Sequence, residues 1–176
     1  MLILVMGVTA AGKTTVGRRL AERLRMPFHD ADDFHPAANR QKMAENQALN
    51  DDDRRPWLEA LATAAVDWER AGGAVLACSA LKQKYRELLF SRVTGGRTVF
   101  LEITPEQAAL RLEARKGQHT IIRDYDRVLA GQFADLEPPE PSIRVSAVLP
   151  LEELVERVAA ALSAEGLSPP SRSPVP

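Results

Sequence analysis

Cysteine is almost missing from this chain: Cys78 is the single one among 176 residues. That excludes an internal disulfide and a multi-cysteine zinc site, and it suits a reducing, cytoplasmic compartment. Cys78 itself reads as a small buried residue closing a strand rather than as a catalytic thiol. Excess charge is missing too. Lys and Arg total 23 against 24 Asp and Glu, a net charge of −1, so no global basic field draws in nucleic acid or an anionic membrane. The histidines, His29, His35 and His119, lack the spacing of a metal site. The apolar run at the N-terminus, Met1 to Val8, is short and has no basic residues before it. It is expected to be neither a signal peptide nor a membrane span. There are no internal repeats. What remains, 45% hydrophobic and 27% charged residues, describes a globular chain of single-domain size that can bury a full core.

Apolar runs alternate with helical patterns along the chain. Leu2–Met6 is a continuous apolar run ending at Gly7, the pattern of a strand buried on both faces. Val16, Leu20 and Leu24 mark one face of a helix over Lys13–Leu24. Trp57, Leu58, Leu61, Ala64, Ala65 and Trp68 repeat that spacing, with Pro56 expected in the first turn. Ala74–Cys78, Thr98–Ile103 and Ile143–Val148 read as strands. Lys82–Phe90, the segment after Pro105 and the one after Pro150 read as helices. Strands separated by helices imply crossover connections and a mainly parallel sheet covered on both faces. Lys116–Pro141 mixes charges, Gly and Pro with weak periodicity, and a stretch that long is expected to be a functional lid. The Ser/Pro-rich C-terminal residues, 165–176, are expected to be a disordered tail.

Gly7-Val8-Thr9-Ala10-Ala11-Gly12-Lys13-Thr14 fits G-x-x-x-x-G-K-[ST]. The glycines let the backbone turn tightly, so that N–H groups converge on phosphate oxygens. Lys13 brings a positive charge to the β- and γ-phosphates, and Thr14 offers a hydroxyl to Mg²⁺. The helix starting near Lys13 adds its positive dipole end. Such a match arises by chance in about one chain in a hundred, but here it follows a strand and opens a helix, the context the motif requires. ATP or another nucleoside triphosphate is the expected ligand of Gly7 to Thr14 and the adjoining Thr15. Asp30, Asp32 and Asp33 then cluster where a second strand, near Pro27-Phe28-His29, ends beside the loop. In open α/β sheets ligands sit at that edge. One carboxylate there can hold Mg²⁺ through water while another accepts a proton from an attacking hydroxyl.

The stretch from Asp30 through Phe34-His35-Pro36, with Asn39, Lys42-Met43 and Leu49-Asn50 through Asp53-Arg54-Arg55-Pro56-Trp57-Leu58, resembles the gluconate kinase family. So do Cys78-Ser79-Ala80-Leu81-Lys82 with Tyr85-Arg86, Arg111 to Gly117, and Gln132-Phe133 with Leu136-Glu137-Pro138. The resemblance implies a P-loop NTPase fold of the shikimate kinase type. This is an α/β/α sandwich whose mainly parallel five-stranded sheet runs in the order 2-3-1-4-5, with residues 1–164 as one domain and a helical lid near 116–138. It also implies transfer of the ATP γ-phosphate to the 6-hydroxyl of D-gluconate. Asp30 would orient Mg²⁺ through water with Thr14, and Asp32 would act as base, with Asp33 pointing away on an extended chain. Lys13 and Arg115 would neutralise transition-state charge, Arg115 reaching the phosphates as the lid closes and Arg111 stacking on adenine. An anionic polyol needs cations and polar groups, which His35, Asp53, Arg54, Lys82 and Arg86 would supply. Arg54 and Arg86 lead for the carboxylate because a guanidinium fork matches it. His35, in a turn before Pro36, would hydrogen-bond substrate. The family also tends to form homodimers.

The chain departs from the family in places. Ala10 and Ala31 replace glycines common in it, which requires negative φ at both, and Asn46 stands where glycine is usual. Gln118-His119-Thr120 follows Gly117 where His-Phe is usual, and the approach to Gln132-Phe133 is longer. A kinase of the same fold acting on shikimate, adenylylsulfate or another sugar acid is the nearest rival. Against shikimate, Ser79-Ala80-Leu81-Lys82 stands where a Gly-rich loop would be expected. A nucleotide-dependent switch protein would need an Asn-Lys-x-Asp motif, which is absent.

Overall fold

The computed structural model describes residues 1–45, 47–114 and 125–166. Asn46, Arg115, the segment through residue 124 and residues 167–176 lie outside it. The expectations placed on Asn46, on Arg115, on the start of the lid and on most of the tail therefore lie outside the described residues.

Strands β1 (Leu2–Met6), β2 (Phe28–Asp30), β3 (Ala74–Ala77), β4 (Gly96–Glu102) and β5 (Ile143–Ser146) form one sheet in the order β2-β3-β1-β4-β5. Every pairing is parallel. The central strand shows why β1 reads as an unbroken apolar run. Ile3 and Val5 face the core beneath helices α1 (Lys13–Leu24) and α7 (Leu151–Ala164). Leu2, Leu4 and Met6 face the other, beneath α3 (Asp51–Arg70) and α4 (Gln83–Phe90). Alternate side chains leave opposite faces of a strand, so a strand covered on both sides has no polar position. Cys78 follows β3 and is buried, and burial pushes its thiol up to about 12, an unreactive side chain as its position suggested. No described helix is long and apolar enough to cross a membrane.

Two local expectations are corrected. Helix α3 begins at Asp51, not at Pro56. The Asn50 side chain accepts the Asp53 N–H at 2.9 Å and Asp53 Oδ2 accepts the Asn50 N–H at 3.1 Å, a reciprocal cap that starts the helix and leaves Pro56 inside it. The Asp30–Asp33 acids do not lie on an extended chain. Ala31–Phe34 is a 3-10 turn, and Asp30 caps it by accepting the Asp32 N–H at 3.2 Å. Within the segment expected to be a helical lid, α6 spans Tyr125–Asp135. Two further helices, α2 (Ala37–Ala44) and α5 (Pro105–Glu113), complete the described set. Of these α2 was not anticipated, because a one-sided apolar stripe is lacking in so short a polar segment.

Candidate active site

The phosphate loop joins β1 to α1, and its conformation explains its glycines. Gly7 has φ 153°, and a Cβ there would lie 2.9 Å from the Leu101 carbonyl oxygen. Gly12, at φ 96°, occupies the N-cap of α1 without any side-chain cap, so the first N–H groups of the helix stay available to an anion. Three side chains anchor the loop: Val8 in the core beneath α3, Ala11 in the core beneath α1, and Ala10 in a third cluster with Ala108, Leu112 and Leu129. Lys13 Nζ donates to the Val8 carbonyl at 3.0 Å.

Ala10 overturns the expectation of negative φ. It sits at φ 65°, whereas Ala31 is not among the positive-φ residues. The left-handed conformation costs alanine about 1 kcal/mol relative to glycine. Its methyl group is buried against α5 and α6, and burying one such group contributes about 0.8 kcal/mol. The two effects nearly cancel, so Ala10→Gly is expected to change unfolding free energy by less than about 1 kcal/mol, measurable by urea denaturation.

Beside the loop, Thr14 Oγ1 donates to Asp30 Oδ2 at 2.8 Å. These are two hard oxygens side by side at a phosphate site. No group of three or more metal-ligating side chains occurs among the described residues. That donor set fits Mg²⁺, which keeps waters and uses one or two protein oxygens together with substrate phosphates. Asp32 lies one turn on, in the field of Lys13. Crowding by neighbouring atoms raises its pKa first, Asp30 and Asp33 raise it further, and Lys13 opposes them. The side chain is still 78% exposed, so the crowding is that of a cleft wall open to solvent.

A buried scaffold from α2 and α3 carries this turn. Trp57 Nε1 donates to the Ala31 carbonyl at 2.7 Å, and the Trp57 ring stacks on His35 with centroids 4.3 Å apart. Asn39, 4% exposed, donates to the Asp53 carbonyl at 2.8 Å and lies 3.4 Å from His35 Nδ1. With Nδ1 accepting from that amide, the ring proton resides on Nε2, which faces Asp32 Oδ1 at 3.9 Å. His35 is 5% exposed. Its ring therefore faces protein on most sides, and the expected substrate hydrogen bond has little surface to form on.

Burial, then Arg54 and Arg40, lower the His35 pKa to about 4. The unfolded chain binds the histidine proton below about 6.5, whereas the folded chain excludes it down to about 4. Stability is full above the unfolded value and falls as pH drops through that window. Thermal melts between pH 7 and pH 4 are expected to show a decline that His35→Gln flattens.

The residues expected on the acceptor side lie at the starts of α3 and α4. Lys82 Nζ sits 3.1 Å from Asp135 Oδ1 and 3.9 Å from Asp51 Oδ1. Arg54, Lys82 and Lys84 surround the Tyr85 ring at 5.9, 5.9 and 5.8 Å. Asp51 pairs with Lys84 and accepts from the Tyr85 hydroxyl, and these partners hold its carboxyl down at about 2. Asp53 is brought to the same helix start, but Lys42 at 2.6 Å and the Asn50 amide already occupy its two oxygens. Arg86 is not presented as a free fork. It is buried, and its Nη1 donates to the Ala80 and Leu81 carbonyls at 2.9 and 2.8 Å, holding the turn that carries Lys82. On the nucleotide side, Arg111 Nη1 donates to Ala10 and Ala11 at 3.1 and 3.3 Å and Nη2 to Ala147 at 2.5 Å. Those bonds use the guanidinium edges. Thr15 is exposed at the first turn of α1. The Thr9 amide points elsewhere, to Gln132 Oε1 on α6 at 2.5 Å.

Comparison with known proteins bears on this arrangement. The shikimate kinase family model matches residues 9–133, from the phosphate loop into α6. The chain is 42% identical to a gluconokinase of Gluconobacter oxydans over 87% of this chain and 88% of that protein. The chain belongs to the gluconokinase family and carries a shikimate kinase family domain. The thermoresistant gluconokinase of Escherichia coli is 35% identical over 90% of this chain and 89% of its own. A crystal structure of a gluconokinase from Sinorhizobium meliloti superposes with a TM-score of 0.82 at 35% identity, covering 93% of this chain and 91% of that one. The five-stranded parallel order expected for the gluconokinase family is the one observed.

Asn39, Lys42, Trp57 and Gln132 were not singled out from the sequence as site residues. For the first three the available signal was their place in the family's motif blocks. For Gln132 it was the Gln-Phe pair.

Proposed function

We propose that the chain transfers the γ-phosphoryl group of ATP to the 6-hydroxyl of D-gluconate, giving ADP and 6-phospho-D-gluconate. The observation that carries this reading is the Thr14–Asp30 contact of 2.8 Å, which brings the donor loop of β1 and the acid turn of β2 together at the carboxyl edge of the sheet. Gluconokinase relatives align over most of the chain, which supports gluconate as the acceptor.

In this reading the loop amides and the open N-terminus of α1 bind the triphosphate, and Lys13 neutralises charge on the transferring group. Thr14 would hold Mg²⁺ through its hydroxyl and Asp30 through water, and the ion would supply positive charge against the triphosphate. Asp32 accepts the proton of the 6-hydroxyl as its oxygen bonds to γ-phosphorus, and the bond from γ-phosphorus to the bridging oxygen breaks to leave ADP. Lys82 and Arg54 attract the sugar-acid carboxylate, and polar groups around them favour a polyol over analogues lacking hydroxyls. Arg111 offers its guanidinium face to adenine, and Arg115 completes the charge neutralisation on closure.

The test is ADP formation with and without gluconate, across a panel of sugar acids, shikimate and adenylylsulfate. Gluconate-dependent turnover at least about tenfold above every other acceptor is expected. ADP release independent of any acceptor, or a preference for shikimate, overturns the assignment.

A further inference from the structure

Helix α6 touches both halves of the site with a single face. Gln132 and Asp135 are three residues apart and so project from the same side of the helix. Gln132 Oε1 takes the Thr9 N–H of the phosphate loop at 2.5 Å, across 123 residues of sequence. Asp135 Oδ1 takes Lys82 Nζ at 3.1 Å. The chain just beyond the helix reinforces the second attachment: the Glu137 N–H donates to the Leu81 carbonyl at 3.0 Å, and Glu137 Oε2 accepts from the Gln83 N–H. Apolar packing follows the same two-ended plan. Leu129 and Phe133 lie against the cluster of Ala10, while Phe133 and Leu136 lie against the cluster of Leu81 and Tyr85.

The residue types suit their ends. A carboxamide accepts a backbone N–H without placing a formal negative charge beside a triphosphate, which a carboxylate would do. At the other end a carboxylate matches the Lys82 ammonium, whose three donors leave others for an acceptor anion. Phosphoryl transfer is sensitive to ångström displacements of donor relative to acceptor. Two attachments within one turn of helix set that separation with little play.

We propose that Gln132 and Asp135 are a positioning pair that registers the phosphate loop against Lys82, so that donor and acceptor are held at a fixed separation by one turn of α6. This rests on Lys82 belonging to the acceptor side in the function proposed above. Neither residue touches the reacting atoms, and both act through the loop and through Lys82.

The experiment compares the wild type with Gln132→Ala, Asp135→Ala and the double variant. Each single variant is expected to lower kcat about tenfold while KM for ATP stays within about twofold. ADP should form in excess over phosphorylated acceptor, because a misregistered phosphoryl group goes to water. The double variant should resemble either single one, since both break the same link. Additive losses with one ADP per product overturn the pair. A second measurement does not need the acceptor. Amide hydrogen exchange of a peptide covering residues 8–12, without ligands, is expected to quicken in Asp135→Ala as well as in Gln132→Ala. Quickening in Gln132→Ala alone, or in neither, overturns the proposal. If the wild type does not phosphorylate gluconate, the functional reading fails and the exchange result still decides the link.

Discussion

Replacing Asp32 by asparagine is expected to leave nucleotide binding intact and to lower kcat at least about a hundredfold. Asparagine keeps the shape of the side chain and loses the ability to accept a proton. No residue of the phosphate loop is altered, and Asp32 is coupled to the loop through the charge of Lys13. The comparison that isolates the base is Asp33→Asn. Asp33 also contributes to the charge felt by Asp32, so its removal likewise takes one negative charge from the turn and leaves the proton acceptor in place. Successive residues of a 3-10 turn point about 120° apart, which keeps the two carboxylates on different sides. Kinetics with saturating ATP and gluconate, alongside nucleotide titration by calorimetry, measure both quantities. Turnover within about tenfold of the wild type in Asp32→Asn removes it from the role of base.

Much of this arrangement was legible before any coordinates. The phosphate loop was readable because its conformation is set locally, by glycines at Gly7 and Gly12 and by a strand and helix on either side. The sheet was readable because a strand buried on both faces has no polar position, as in Leu2–Met6. The acid turn was harder. Asp30 competes for the backbone with its own carboxylate, taking the Asp32 N–H, and that local bond replaces the extended chain that a strand end suggests. The start of α3 was concealed by Pro56, which is favoured in a first turn but tolerated deeper here because Asn50 and Asp53 cap each other. Ala10 went against the rule for positive φ because its methyl group gains a buried contact that only tertiary structure supplies. Arg86 looks like an anion ligand by type, yet two carbonyls of its own turn claim it. Contacts such as Thr9 to Gln132 have no local signature at all, since 123 residues separate the partners.

The most destabilising single change is expected at Trp57, and it joins the core to the chemistry. Trp57 is 2% exposed in the cluster beneath α3, so truncation to alanine is expected to cost about 3–5 kcal/mol. That is a large share of the roughly 5–15 kcal/mol that holds a domain folded, and urea denaturation should show the midpoint fall sharply. Trp57→Phe separates packing from polar bonding. Phenylalanine still stacks on His35 but lacks the indole N–H that donates to the Ala31 carbonyl at 2.7 Å. Ala31 is fully buried, and an orphaned buried acceptor costs about 1–3 kcal/mol. The chain should therefore fold at room temperature with a lower Tm. The acid turn loses its tether at Ala31 while the phosphate loop keeps its anchors at Val8, Ala10 and Ala11. Affinity for nucleotide is then expected to stay within about twofold and kcat to fall about tenfold, because the turn that places Asp32 has loosened while the anchors of the loop amides remain. A variant that weakens nucleotide binding and turnover equally would mean that Trp57 supports the core as a whole, with no particular hold on the acid turn.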